Sequence, residues 1–256
     1  MAHELSQKAV LITGAGTGIG KGIATAFAKA GAHVALVGRR KEVVEAAAKE
    51  LSAHGGKTLA IGADVSKAAD AKRAVEETVK AFGALHILVN NAGIAKFGSL
   101  EDTSEADLEA LVEIDFKGPM HTSRAALPHL KKHKASGGAS IIHISSSAAL
   151  IGMRGFSVYS AAKAALNQLT RCMAMDNGAD QVRVNAICPG VVETPIFNGV
   201  PEAMRKKMLE DLAKKHALGR IGTPEDIAAV ALLLASSAGN WITGAVIPVD
   251  GGISLG

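Results

Sequence analysis

Two rhythms of apolar residues alternate along this chain. Short unbroken apolar runs recur in KAVLITG, HVALVG, TLAIGADV, LHILVNNAG, SIIHISSS, VRVNAICPG and AVIPVDGG, most of them closing on small or turn-forming residues. Runs of that length without polar alternation are expected of strands covered on both faces, as in a parallel sheet. Between them the apolar positions are spaced by three and four. In Lys41–His54 they fall at Val43, Val44, Ala47 and Leu51, one face of a helix. Similar spacing predicts helices over GIGKGIATAFAKAGA, ending at Gly31, and over 68–82. Ser104, with Asp107 three residues on, reads as a capping box opening a long helix to Leu130, which Pro119 and Pro128 should interrupt or bend. Further helices are expected over 159–175 and over TPEDIAAVALLLAS, where Thr223 is the N-cap and Pro224 the first helical residue. The stretch from Thr194 to about Gly222 reads as an irregular insert. About seven strands alternating with six helices through short connections predict one α/β domain over 1–256. Its form is a doubly wound, Rossmann-like parallel sheet with helices on both faces.

Composition narrows the classes. The chain has 256 residues, 48% of them hydrophobic and 20% charged, which suits one large folded domain. Aromatic residues are only 3%, so the core must be built from Ala, Val, Ile and Leu. The net charge of +4 is spread along the chain, which argues against a nucleic-acid partner. The longest apolar run, Ile227–Ala235, is far short of the roughly 20 residues a membrane helix needs. Cys172 and Cys188 follow no metal or disulfide spacing, the histidines form no HExxH pattern, and no leader-like start is present. The expectation is a cytoplasmic, metal-free protein without a membrane partner.

Candidate chemistry gathers at the strand ends. TGAGTGIG, Thr13 to Gly20, links the first strand to a helix. Its spacing, Gly14-x-x-x-Gly18-x-Gly20, departs from G-x-G-x-x-G, yet it retains the sharp turn, the close backbone approach and the helix N-terminal amides that pyrophosphate requires. Where an acidic residue would bind a ribose 2′-hydroxyl stands Gly38, followed by Arg39 and Arg40. Arginines there suit a 2′-phosphate, so NADP(H) is favoured, with NAD(H) left open. Asp64 could accept from an adenine amino group or simply form a turn. Asn90, Asn91 and Gly93 close the next strand, suited to tying strands together beside a ribose. Ser146 ends a later strand, thirteen residues before Tyr159. Tyr159 and Lys163 are four apart and share a helix face, so the ammonium can favour the phenolate and make the phenol an acid/base group.

Together these stretches resemble the classical short-chain dehydrogenase/reductase family over roughly residues 6–253: TGAGTGIG, Asp64-Val65, NNAG (90–93), Ser146, Tyr159 with Lys163, Pro189-Gly190 with Thr194, and VDGG (249–252). The resemblance implies hydride transfer between nicotinamide and a secondary alcohol or ketone. Tyr159 would be the acid or base, Lys163 would assist it and hold the nicotinamide ribose, and Ser146 would bind the substrate oxygen. Gly14, Thr17, Gly18, Ile19 and Gly20 would line the pyrophosphate. Arg39 would meet the 2′-phosphate, Asp64 and Val65 the adenine, Asn90 and Ala92 the adenosine ribose, and Val192 and Thr194 the carboxamide. A homotetramer is implied as well.

One position departs from the family pattern. Asp115, in IDFKG, stands where the family usually has an Asn whose backbone carbonyl holds a water of the proton relay. The carbonyl remains, but the carboxylate adds negative charge near Lys163. The relay is expected to survive, with the proton held more tightly on Tyr159.

A small-molecule alcohol or ketone is the leading substrate class. A 3-oxoacyl thioester on an acyl carrier protein or coenzyme A is the alternative. Met175, followed by Asp176, stands where one carrier-dependent branch has an arginine, although Lys131, Lys132 and Lys134 with Arg205, Lys206 and Lys207 could form a docking face. The insert at 194–222 should cover the substrate, with Ile196, Phe197, Met204 and Met208 facing Met153 in a largely apolar pocket. A non-catalytic nucleotide-binding scaffold is the remote alternative, and the presence of Ser146, Tyr159 and Lys163 together speaks against it.

Overall fold

The apolar runs become strands. The computed structural model describes residues 4–194 and 201–256. Strands β1 (Ala9–Thr13), β2 (His33–Gly38), β3 (Thr58–Gly62), β4 (Ile87–Asn90), β5 (Ala139–Ile144), β6 (Val182–Pro189) and β7 (Val246–Val249) form one sheet in the order β3-β2-β1-β4-β5-β6-β7. Every neighbouring pair is parallel, with Ile12 of β1 in register with Leu36 of β2 on one side and Val89 of β4 on the other. The strand order reverses between β1 and β4. Chains leaving those two strands diverge, so a crevice opens at their carboxyl ends.

Helices α1 (Gly18–Lys29), α2 (Lys41–Leu51) and α8 (Pro224–Ala235) pack on one face, while α3 (Ala68–Phe82), α5 (Gly118–Leu130) and α6 (Ser157–Asn177) pack on the other. Phe27 is the one aromatic ring among the largest fully buried side chains, the rest being Leu and Ile. Burying each such aliphatic side chain contributes about 1.5–3 kcal/mol. Thr223 and Asp226 form a reciprocal capping box at the start of α8, with Pro224 in the first turn.

Three elements differ from the sequence reading. The long helix from Ser104 is divided into α4 (Glu105–Leu111), a π-helical turn (Val112–Lys117) and α5. Pro119 lacks the N–H that would continue the ladder, and the widened turn before it absorbs the loss; Pro128 is carried inside α5. The capping box reduces to its forward half, Ser104 Oγ accepting from Asp107 N at 3.1 Å. Helix α6 starts two residues before Tyr159 and runs two past Met175. The insert contains α7 (Glu202–Ala213), hidden in the sequence because Arg205, Lys206, Lys207, Glu210 and Asp211 break its apolar rhythm.

Candidate active site

A cleft of about 640 Å³ lies at the carboxyl ends of β1 to β4. It is bordered by Gly14, Thr17, Gly18 and Ile19 from the glycine turn, Arg39 and Arg40 after β2, Asp64 and Val65 after β3, Ala92 and Gly93 after β4, and Thr194. The turn works through close packing. A Cβ on Gly20 would stand 2.3 Å from the Gly14 carbonyl oxygen, so only glycine lets the helix start so near the strand. Thr17 is the N-cap of α1, but its side chain caps nothing and no acid sits in the first turn. The first-turn amides are therefore free to take an anion. Arg39 and Arg40 are exposed and form no ion pair or side-chain hydrogen bond among the described residues. Uncapped amides, a cradle that a Cβ would fill and two unpaired guanidiniums fit a dinucleotide cofactor. Asp64 borders the cleft and also holds its own turn, its Oδ1 accepting from Ser66 N at 3.1 Å and Ser66 Oγ at 2.7 Å.

Nine predicted residues stand outside this lining, the four catalytic candidates and five others. Gly20 lies behind the turn. Asn90 is 2% exposed, its Nδ2 donating to Ser123 Oγ at 3.0 Å and its Oδ1 accepting from Thr122 Oγ1. Its side chain is thus spent in the core, and any contact with a ribose falls to its main chain. Asn91 borders the cleft instead, its Nδ2 donating to the Thr13 and Gly14 carbonyls at 3.0 and 3.1 Å. Pro189 pairs with Val249, Gly190 packs where a Cβ would meet Asp250 O at 2.7 Å, and Val192 bridges to Gly222. These three shape the chain's exit from β6. His216, unmarked in the sequence because a lone histidine carries no spacing, pins that exit: its Nε2 accepts from Val191 N at 3.2 Å while Nδ1 donates to Leu212 O at 2.8 Å.

The catalytic candidates lie outside that lining but adjoin it, since Asp115 touches Gly93 and Ile94 at its edge. Lys163 is buried, its Nζ 5.8 Å from the Tyr159 ring centroid, and it donates to Ile144 O at 3.1 Å. Its counter-ion is Asp115, fully buried in the π-helical turn, with Oδ1 2.9 Å from Nζ. That approach is off the hydrogen-bond direction, so charge holds it. Asp115 Oδ2 accepts from Ile94 N at 3.2 Å. A Cβ on Gly93 would stand 2.6 Å from Asp115 Oδ1, so the glycine of NNAG makes room for the pair. Burial works against the Lys163 charge, but Asp115 and then Tyr159 outweigh it and hold the ammonium above its ordinary range. His143, one residue before Ile144, is buried beneath. Asn90 Nδ2 lies 3.1 Å from its Nδ1, and since an amide NH2 only donates, the neutral ring carries its proton on Nε2. Burial first, and then Lys163, push this histidine down to about 3. Ser146 Oγ accepts from Ala148 N at 3.1 Å, which leaves its O–H free to donate. The Tyr159 hydroxyl makes no hydrogen bond among the described residues. Ile196 and Phe197 lie outside the described residues.

Comparison with known proteins agrees with this geometry. A family model described as Enoyl-(Acyl carrier protein) reductase matches residues 14–254. Meso-2,3-butanediol dehydrogenase of Serratia marcescens is 40% identical over 97% of this chain and 95% of its own. The 3-oxoacyl-[acyl-carrier-protein] reductase of Thermotoga maritima is 35% identical, covering 98% of this chain and 100% of its own. The crystal structure of 3-ketoacyl-(acyl-carrier-protein) reductase from Brucella melitensis complexed with NADH superposes with a TM-score of 0.89 at 34% identity, covering 98% and 99% of the two chains. With matches of this length on a seven-stranded parallel sheet, the chain belongs to the classical short-chain dehydrogenase/reductase family and is an oxidoreductase.

Proposed function

We propose that this protein moves hydride between NADP(H), favoured over NAD(H), and a secondary alcohol or its ketone. The observation that carries the reading is the buried Lys163 ammonium 5.8 Å from the ring centroid of Tyr159 on one face of α6. When bound, the nicotinamide would supply or accept the hydride. The chain's own part is proton management and positioning. During reduction Tyr159 donates its proton to the carbonyl oxygen, Ser146 O–H holds that oxygen, and the Lys163 cation favours the phenolate left behind. Asp115 fixes Lys163 and offsets part of its charge. Gly14, Thr17, Gly18 and Ile19 would hold the pyrophosphate, with Gly20 packed behind. Arg39 and Arg40 would take the 2′-phosphate, Asp64 and Val65 the adenine, Ala92, Gly93 and the Asn90 main chain the ribose, and Thr194 the carboxamide with Val192 supporting it. The segment 194–222 would cover the substrate. The family resemblance, together with the exposed apolar side chains Met175 and Trp241, supports a homotetramer. Among the described residues no helix is long and apolar enough to cross a membrane, in keeping with a cytoplasmic enzyme.

The thioester reading is the weaker one. Part of the basic face it would need is already engaged, Lys131 and Lys134 pairing with Asp180 at 2.9 and 4.0 Å, and Met175 is exposed where a docking arginine would stand. The test is a fluorescence titration with NADPH and NADH on the protein and on Arg39→Asp. NADPH should bind at least about tenfold tighter, with the order reversed in the variant. Equal binding, or tighter NADH, would remove the NADP(H) preference, and no binding of either would remove the dehydrogenase reading.

A further inference from the structure

The chain is poor in aromatic residues, with six Phe, one Tyr and one Trp. Three of them stand in one run ending at the catalytic candidate. Phe97 meets Phe156 edge to face, centroids 4.9 Å apart at 89°, and Phe156 meets Tyr159 at 5.9 Å and 60°. Both separations fall in the range of about 4.5–7 Å where ring pairs attract. The rings come from segments far apart in sequence, Phe97 from the loop after β4 and Phe156 from the N-cap of α6. Main chain holds the two segments together: Gly98 N donates to Gly155 O at 2.8 Å, and Gly98 and Phe156 form a parallel bridge. The run is therefore a built surface and not the chance approach of two mobile side chains.

Its outer ring is open. Phe97 is 69% exposed, although its neighbour Phe156 is half-buried. A lone exposed phenylalanine needs no explanation. This one is the free end of a ring series whose inner end is the only tyrosine of the chain. The Phe156 ring adjoins the Tyr159 ring directly, and Phe97 continues from it toward solvent. The nearest cation on the same loop, Lys96, is tied to Asp107 at 3.0 Å, so its charge is already matched.

We propose that Phe97 and Phe156 form an aryl-binding shelf beside Tyr159, and that the substrate is a ketone or secondary alcohol carrying an aromatic ring next to the reacting carbon. The proposal rests on the hydride-transfer reading above and names its substrate class. An aryl group laid on the shelf would cover Phe97 and extend the ring series by one member, which an aliphatic substituent of equal volume cannot do as well.

The test compares acetophenone, cyclohexyl methyl ketone and butanone as substrates for the protein, Phe97→Leu and Phe156→Leu, supplied with whichever reduced cofactor binds. The expected result is a kcat/KM for acetophenone at least about tenfold above that for butanone and above that for cyclohexyl methyl ketone. Both substitutions should lower the acetophenone-to-butanone ratio several-fold or more. A ratio that neither substitution moves, or equal preference for the cyclohexyl and phenyl ketones, would overturn the shelf. So would an unmoved ratio with a changed oligomeric mass in Phe97→Leu, which would assign that ring to a subunit contact. If no ketone is reduced with either cofactor, the hydride-transfer reading fails. Saturation-transfer NMR then reads the shelf separately: transfer from protein to acetophenone that Phe97→Leu abolishes supports it, and transfer that is absent or unaltered overturns it.

Discussion

The glycine turn and the Tyr159 region of α6 are built on opposite principles. At the glycine turn the groups proposed to bind are main-chain amides at the start of α1, brought close to β1 by residues without side chains. The arginines beside it, Arg39 and Arg40, lie in solvent. At the α6 end the working groups are side chains, and their support is a buried polar cluster: Lys163 with Asp115, and His143 with Asn90, Ser123 and Thr122. One end depends on space and the other on charge. A change of a single methyl group should disable the first, while a change of a single charge at constant volume should retune the second.

The largest effect is expected from Gly20→Ala. Its Cβ would meet the Gly14 carbonyl at 2.3 Å, and backbone must move to relieve the clash. NADPH affinity should fall by about a hundredfold, read by fluorescence titration, with a lower melting temperature. An unchanged affinity would show that the turn does not depend on close packing. Asp115→Asn keeps the volume and removes the charge. Lys163 would then face the Tyr159 phenolate without a competing anion, and the pH–rate profile should move toward acid. A uniform loss of kcat at every pH would instead make Asp115 a structural support only.

The smallest effect concerns His143. Its native value, about 3 through burial and then Lys163, lies below the ordinary 6.5, so on acidification the unfolded chain takes up a proton that the native state refuses. The corresponding stability is complete above 6.5 and is lost progressively down to about 3. His143→Asn, which keeps an acceptor for Asn90, should take up about one proton fewer on unfolding between pH 6 and 4, measured from denaturant midpoints. An equal slope in both proteins would mean that His143 is charged in the native state. His86, pushed down to about 4 by burial and then by His133, contributes in both and cancels.

Legibility in the sequence followed the range of each interaction. The strands, most helices and the Tyr159–Lys163 spacing are local, so apolar periodicity and a four-residue interval were enough to read them. Helix α7 was missed because charged residues interrupt its pattern. Within NNAG the residue types could be named, but not their directions: Asn90 turns into the core because Thr122 and Ser123 of α5 wait there, and Asn91 turns to the cleft. Asp115 was visible as an unusual residue, yet its direct 2.9 Å contact with Lys163 depends on the π-helical turn. The shelf of Phe97 and Phe156 left no sequence signal, since a loop after β4 and the start of α6 share no period.

By itself, then, the sequence determined the alternating architecture, the glycine turn and the residue types of the proposed catalytic set, because each is written in neighbours a few residues apart. Only the tertiary structure decided which side chains face the cleft and which charge balances Lys163. Those outcomes depend on contacts between segments that the chain brings together from far apart, where packing and the cost of burying an unmatched charge select one arrangement.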